Sequence, residues 1–397
     1  MTIDTGKGKI PLVALVAIWS VSAIVSLPGL AISPILDDMQ SIFPHASELE
    51  VQMLESLPSL LIIPFMLLSG RWAVKGNKIR LLVAGTAIFL LSGVWCTTSY
   101  SLVELIAAST LVGVGAGMII PLSTGLIVDY FTGDKRVNQL GISSAVNNLT
   151  LVIATTAVGY LADVEWHLAF VVYLLPVVTL LLIPALSRTK PAPEPKSGAQ
   201  NRQTKLNVKV IAGLVLFYFA ITYTSLIVTY NTSYVASLAG MHSGESGIII
   251  SLFFLAIMAP GFMLNRIIAI FGRMVNLWSL VAMSVGLLLM SLTHPSATTL
   301  TIGAILTGLG YGVMQPIIYD KAATNAPPHL STLALAIVMT TNYLAILVAP
   351  FMIDGIDHIF HATNHTFAYL FNSIVVLIIA IATALTYKSN RVLGSDD

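Results

Sequence analysis

Long apolar runs alternate with short polar breaks along nearly the whole chain. Uninterrupted stretches of about 17–25 apolar residues match the length that crosses a bilayer core as a helix. Such runs predict twelve helices, at 11–35, 51–72, 81–98, 103–127, 139–161, 168–187, 208–235, 246–265, 275–293, 300–319, 331–353 and 367–387. Transmembrane strands would be about 10 residues long with alternating polarity, and these runs are longer and uniformly apolar. The first run is too long for the core of a signal peptide and no small-residue cleavage site follows it, so it is read as a retained helix. The expected fold class is an all-α membrane protein with 12 transmembrane helices.

One polar interruption is longer than the rest. Residues 188–207 hold Pro191, Pro193 and Pro195 among Lys, Arg, Gln and Asn, the composition of a solvated linker. The linker separates an N-terminal six-helix bundle, 1–187, from a C-terminal one, 208–397. The halves carry a weak internal repeat. Gly113, Gly115, Gly117 and Pro121 recur as Gly308, Gly310, Gly312 and Pro316, each 195 residues later, and the same offset relates Asn147 to Asn342. Gly70 and Lys75 recur as Gly261 and Arg266 at an offset of 191. Two pseudo-symmetric six-helix bundles are therefore expected. The glycine pairs 113/117 and 308/312 are small-xxx-small patterns, read as close helix packing and not as phosphate loops.

Composition narrows the class. Hydrophobic residues make up 56% of the 397 and charged residues only 9%, too few to cover a water-soluble surface. A net charge of +1 offers no field for nucleic acid. The single cysteine, Cys96, permits no internal disulfide and no thiolate metal cluster. The sign pattern then orients the helices. With both termini in the cytoplasm, all 19 Lys and Arg fall on the inner side, while external loops hold acids such as Asp37, Asp38, Asp354 and Asp357. A multi-pass protein of the cytoplasmic (plasma) membrane is expected, without a cofactor or metal; the external His358, His361 and His365 are read as a solvated loop.

Several segments carry a family likeness. Gly70-Arg71-Trp72-Ala73-Val74-Lys75-Gly76-Asn77-Lys78 resembles the signature loop between helices two and three of the major facilitator superfamily, with Val74 where an Asp is usual. Residues 121–136, with Asp129 and Arg136 in place, resemble the fourth-helix exit of that family. Among its branches the chain is most similar to twelve-helix drug:proton antiporters. It departs from them at Ser109, where a buried Arg is usual, and between Gly141 and Gly159, where the Gly-Pro motif is absent. The resemblance implies a cavity lined by helices one, four, seven and ten. It also implies an interdomain latch formed by Gly70, Lys75, Lys78, Asp129, Arg136 and Arg266.

Glu55 is the one clearly ionisable residue well inside a predicted span. A charge at mid-helix costs about 2.5–3.5 kcal/mol on insertion scales, so such residues usually serve a purpose. It is the candidate proton-coupling carboxylate; the alternative is a solvated position near the external surface. Gln52 lies one turn before it. Other polar or aromatic midspan residues are Trp19, Asn147, Asn148, Tyr223, Gln315, Asn342 and Tyr343, candidates for substrate binding or for pairing between helices. No Lys or Arg lies deep in any predicted span, which disfavours a multiply anionic substrate. The expected function is a monomeric secondary transporter, not an enzyme. It would export a small lipophilic neutral or cationic compound by alternating access, coupled to protons. A nutrient importer or facilitator, a lipid flippase and a non-transporting membrane sensor are the alternatives.

Overall fold

The computed structural model describes residues 2–6, 8–75, 77–187, 208–292, 295–325, 331–362 and 364–386. The expected linker, 188–207, lies outside them. Among the described residues, eleven helical stretches are long and apolar enough to cross a membrane, and a twelfth, Leu12–Ala23, is shorter. The described residues cluster into two compact units. One is drawn from Met1–Ile32 and Ile42–Asn201, the other from Ser33–Ser41 and Arg202–Asp397.

The first unit opens with a short hairpin, β1 (Thr2–Asp4) and β2 (Lys9–Pro11), which runs directly into α1 (Leu12–Ala23). The continuous helix expected over 11–35 is not formed. The chain leaves α1 through a turn, and a 3-10 segment, Leu30–Ile35, precedes α2 (Leu36–Ile42). Pro28 cannot donate to a helical ladder, and Gly29 sits at φ +79, where a side chain is disfavoured. A Cβ on Gly29 would collide with the backbone carbonyl of Glu55. Hydropathy runs unbroken through this point; backbone chemistry does not.

The second predicted span is also interrupted. α3 (Glu48–Ser56) and α4 (Pro58–Lys75) are separated by Leu57, because Pro58 has no N–H for the carbonyl four residues back. α3 starts on a capping box between Ser47 and Glu50. α5 (Lys78–Thr98), α6 (Leu102–Tyr130) and α7 (Gly133–Val164) follow. The sixth span is a 3-10 segment, Trp166–Leu174, joined to α8 (Pro176–Ser187).

In the second unit, α9 (Val208–Leu238), α10 (Ser243–Phe271), α11 (Val275–Met290), α12 (Ala297–Thr324), α13 (Ser331–Phe360) and α14 (Thr366–Thr386) complete the chain. Several helices outrun their apolar cores. Asp354, Asp357 and His358, expected in an external loop, occupy the last turns of α13. Lys135 and Arg136, expected before the fifth helix, occupy its first turn. Residues 33–41 belong with this unit: the Asp37 N–H donates to Ser233 Oγ at 2.9 Å, and the Ser243 hydroxyl donates to Asp38.

The internal repeat is a packing repeat. In the first unit, Gly113 and Gly117 of α6 meet Pro58 and Ile62 of α4, while Gly115 meets Gly85 and Phe89 of α5. In the second, Gly308 and Gly312 of α12 meet Phe253 and Ile257 of α10, while Gly310 meets Ser279 and Met283 of α11. Each glycine triplet lets one central helix approach two neighbours closely. Large apolar side chains such as Leu91, Leu181, Phe262 and Leu385 remain exposed on the helices' outer faces, as lipid contact allows and water would not.

Candidate functional site

The polar residues of the spans form separate groups in each unit. In the first, α1 and the turn after it are stitched to α7. Trp19 Nε1 donates to Gln139 Oε1 at 2.9 Å. One turn further, Ser143 Oγ donates to Ser22 Oγ at 2.6 Å. One more turn on, Asn147 Nδ2 donates to Ser26 Oγ at 2.8 Å, and the Ser26 N–H returns a bond to Asn147 Oδ1 at 3.2 Å. Positions 139, 143 and 147 are spaced by four and share one face of α7. The partners advance in the same direction, so the two segments run parallel. Trp19 and Asn147 are half-buried. Asn148 turns back to the Ser144 carbonyl of its own helix at 2.9 Å and makes no bond of this ladder.

Glu55 lies in the last turn of α3 and is 0% exposed. The solvated alternative therefore does not describe it. The broken stretch of the first span lies against it: the Gly29 backbone packs on the Glu55 carbonyl, and the Gly29 N–H donates to the Tyr173 hydroxyl at 3.3 Å. Gln52, one turn earlier, is also buried, and its amide nitrogen donates to Glu48 Oε1 at 2.9 Å. Burial of a carboxyl is tolerable only where its polar atoms find partners or its proton is retained.

The second unit holds a ring of hydroxyls and amides on α9, α12 and α13. The Tyr218 hydroxyl lies 3.1 Å from that of Tyr311 and 2.8 Å from that of Tyr319. Gln315 Nε2 donates to both Tyr218 and Tyr319, at 3.1 and 3.2 Å. Tyr311 donates to Asn342 Oδ1 at 3.4 Å. Tyr218 and Tyr311 are buried, whereas Gln315, Tyr319, Asn342 and Tyr343 are half-buried and keep an open edge. Tyr223 is buried in α9. The group contains no charged side chain.

Of the expected latch, the structure brings two residues together: Lys78 Nζ pairs with Asp129 at 2.6 and 2.8 Å. Gly70 faces open space on α4, and Arg266 is exposed on α10. The side chains of Lys75 and Arg136 lie outside the described ones. A second ion pair joins Lys135 to Asp4 of the hairpin. The Lys135 hydrogen bond, helped by the Gly6 N–H, holds the Asp4 carboxyl below its usual range. Among the described residues, no group of three His, Cys, Asp or Glu could hold a metal ion.

Sequence reasoning missed Gln139, Ser22, Ser26 and Ser143. The four-residue spacing on α7 was a usable signal; the register against α1 was not. It also missed Tyr319 and Tyr173, which read as ordinary apolar positions in their spans.

Comparison with known proteins agrees with this architecture. The profile of the Major Facilitator Superfamily matches residues 13–350 and again 210–393. The quinolone resistance protein NorA of Staphylococcus aureus is 22% identical over 356 residues, covering 85% of this chain and 86% of NorA. The multidrug transporter protein MdtP of Bacillus subtilis is 29% identical over 119 residues, 30% of this chain and only 21% of MdtP. The lysophospholipid transporter LplT of Cronobacter sakazakii is 28% identical over 169 residues, 41% of each chain. Among solved structures, the peptide transporter POT superposes with a TM-score of 0.76 at 12% identity, covering 94% of this chain and 93% of its own.

Proposed function

The chain belongs to the Major Facilitator Superfamily and is a multi-pass membrane transporter, not an enzyme, and from that premise we propose that it exports small lipophilic compounds, neutral or cationic, in exchange for protons. Transport proceeds by alternating access of the halves 1–187 and 208–397 about the linker 188–207. The protein acts as a monomer in the plasma membrane with both termini inside.

One observation carries this reading. Among the described residues, Glu55 is the one Asp, Glu, Lys, Arg or His with a buried side chain. A multiply anionic substrate would need buried cationic partners. Neutral amides and aromatic rings suit an uncharged or cationic lipophile instead. Trp19, Asn147, Gln315, Asn342 and Tyr343 are the proposed substrate contacts, because each is half-buried and retains an open edge. Gln52 and Tyr223, both buried, complete the proposed set. Asn148, satisfied within its own helix, is the weakest member of the expected set. Glu55 is the proposed proton carrier. The Lys78–Asp129 pair, with Gly70, Lys75, Arg136 and Arg266, is proposed to govern exchange between states.

The likeness to NorA and MdtP supports drug export. The likeness to LplT favours a second reading, in which the lipophile is a single-chain phospholipid. The full-length protein in proteoliposomes separates the two. Under an imposed pH gradient, a lipophilic cationic dye such as ethidium is expected to accumulate against its own gradient, and a protonophore to abolish this. Dye movement indifferent to the pH gradient removes proton coupling. Lysophospholipid transfer without dye transport replaces the first reading with the second.

A further inference from the structure

The hairpin ahead of α1 plays no part in the transport chemistry above, yet it is firmly docked. β1 and β2 pair antiparallel, with Asp4 opposite Lys9. The Thr5 N–H and hydroxyl both donate to the Gly8 carbonyl, at 2.8 and 3.0 Å, and the Gly6 N–H donates to Asp4 Oδ1 at 3.0 Å. Thr5 and Ile10 are buried. A two-stranded hairpin is marginal on its own, so this one depends on what it packs against.

That surface is the start of α7. The Thr132 N–H donates to the Thr5 carbonyl at 3.1 Å, and Lys135, in the first turn, pairs with Asp4. Gly6, at φ +82, lies against Thr132 so closely that a Cβ would come within 2.7 Å of Thr132 Oγ1. Thr132 is the N-cap residue of α7, and its own side chain makes no capping bond. The hairpin brings a carbonyl and a carboxylate to that helix end, where backbone donors are exposed and negative charge is favoured. β2 then passes straight into α1. The two helices thus begin at one docked element and stay in step through the pairs 19/139, 22/143 and 26/147. On α7 the sequence 132, 135, 139, 143, 147 advances by three or four, so every contact lies on one face.

We propose that residues 2–6 and 8–11 form a positioning clasp, a cap that another element supplies to α7, which sets the register of α1 against it and so places Gln139, Ser143 and Asn147. Its effect on transport rests on the proposed role of Asn147; its effect on α7 does not. The test uses the full-length protein in lipid nanodiscs and proteoliposomes. Gly6→Val removes the left-handed turn and the fit to Thr132. Asp4→Asn removes the charge, and the exchange Asp4→Lys with Lys135→Asp restores a pair of opposite sense. Amide hydrogen exchange over residues 132–140 is expected to quicken about fivefold in Gly6→Val, the size of a lost helix cap. It should quicken less in Asp4→Asn and recover toward the parent in the charge exchange, while α10–α14 stay unchanged. Ethidium KM is expected to rise at least threefold in Gly6→Val with a maximal rate within about twofold of the parent, since a cap affects placement more than turnover. Unchanged exchange at 132–140 in Gly6→Val overturns the clasp, and so does quickening spread evenly over both units. Local quickening with unaltered KM overturns the positioning role and leaves only a cap. If no variant or parent moves ethidium, the exchange measurement still decides the clasp, and the failure belongs to the transport reading.

Discussion

The indole N–H of Trp19 is bonded to the amide oxygen of Gln139, 120 residues away in sequence, at 2.9 Å. Both groups lie within apolar spans, where polar partners are scarce. The pair therefore joins α1 to α7 one turn before α1 ends at Ala23. Hydrogen bonds of this kind in membranes contribute on average about 0.6 kcal/mol and at most about 1.7 kcal/mol. A double-mutant cycle of Trp19→Phe and Gln139→Leu is expected to give a coupling energy in that range, read from unfolding of the reconstituted protein. A coupling of zero would mean that the bond contributes nothing to helix association.

The glycine triplets make a paired prediction. Gly113→Ala would drive a methyl into the Pro58 backbone, and Gly308→Ala would press one on the Phe253 carbonyl. Each is expected to destabilise its own unit by about 1–3 kcal/mol, the usual penalty for overpacking. Gly125, on the same helix as Gly113, faces nothing within 4 Å. Gly125→Ala is expected to be neutral, or to stabilise by up to about 1 kcal/mol through helix propensity. Thermal unfolding midpoints of the three purified variants check this. Equal behaviour at 113 and 125 would dismiss the close-packing explanation.

These contrasts also show what could be read from the chain itself. Spans were legible because a bilayer imposes a length on apolar runs. The triplets were legible because close packing needs small residues at a helical period. At Pro28–Gly29 the proline signals a kink, but the full break is masked in hydropathy, since Leu27, Leu30, Ala31 and Ile32 keep the run apolar while the backbone turns. Glu55 stood out as a lone carboxyl, but its cover by Gly29 depends on that break, and the neighbouring Tyr173 comes from a distant span. The ladder on α7 shows its spacing in sequence, whereas its partners depend on a register that only tertiary packing sets. The hairpin had no hydropathic signal at all; its stability comes from the helix end it covers.

Acid should release the clasp at a defined place on the pH scale. Lys135 and, more weakly, the opposing Lys9 face Asp4, and together with the Gly6 N–H they hold its carboxyl below the ordinary value. A folded-state value below the unfolded one means that the contribution is complete above about pH 4 and fades as pH falls through the lowered value. Protection at residues 132–140, corrected for intrinsic exchange, is expected to be flat between about pH 5 and 8 and to drop below about pH 4. Asp4→Asn should abolish that drop. A loss centred between about pH 6 and 7 would assign the effect to a histidine instead.

Glu55 decides whether transport is driven by protons. Glutamine keeps the size of the side chain and most of its hydrogen-bonding capacity but cannot take up or release a proton. Glu55→Gln is therefore expected to slow uphill ethidium transport under a pH gradient by at least tenfold, equivalent to about 1.4 kcal/mol in the barrier. Downhill exchange of dye across the same vesicles should persist within about threefold, since substrate contacts are assigned to neutral groups. The separation of the two rates matters more than either alone. Loss of both would mark Glu55 as a structural support for the Gly29 turn, a role that Gly29→Ala should then reproduce by forcing a side chain against the Glu55 carbonyl. Retention of gradient-driven transport in Glu55→Gln would move coupling to another group, and the half-exposed Asp129, paired with Lys78, would be the next carboxyl to replace.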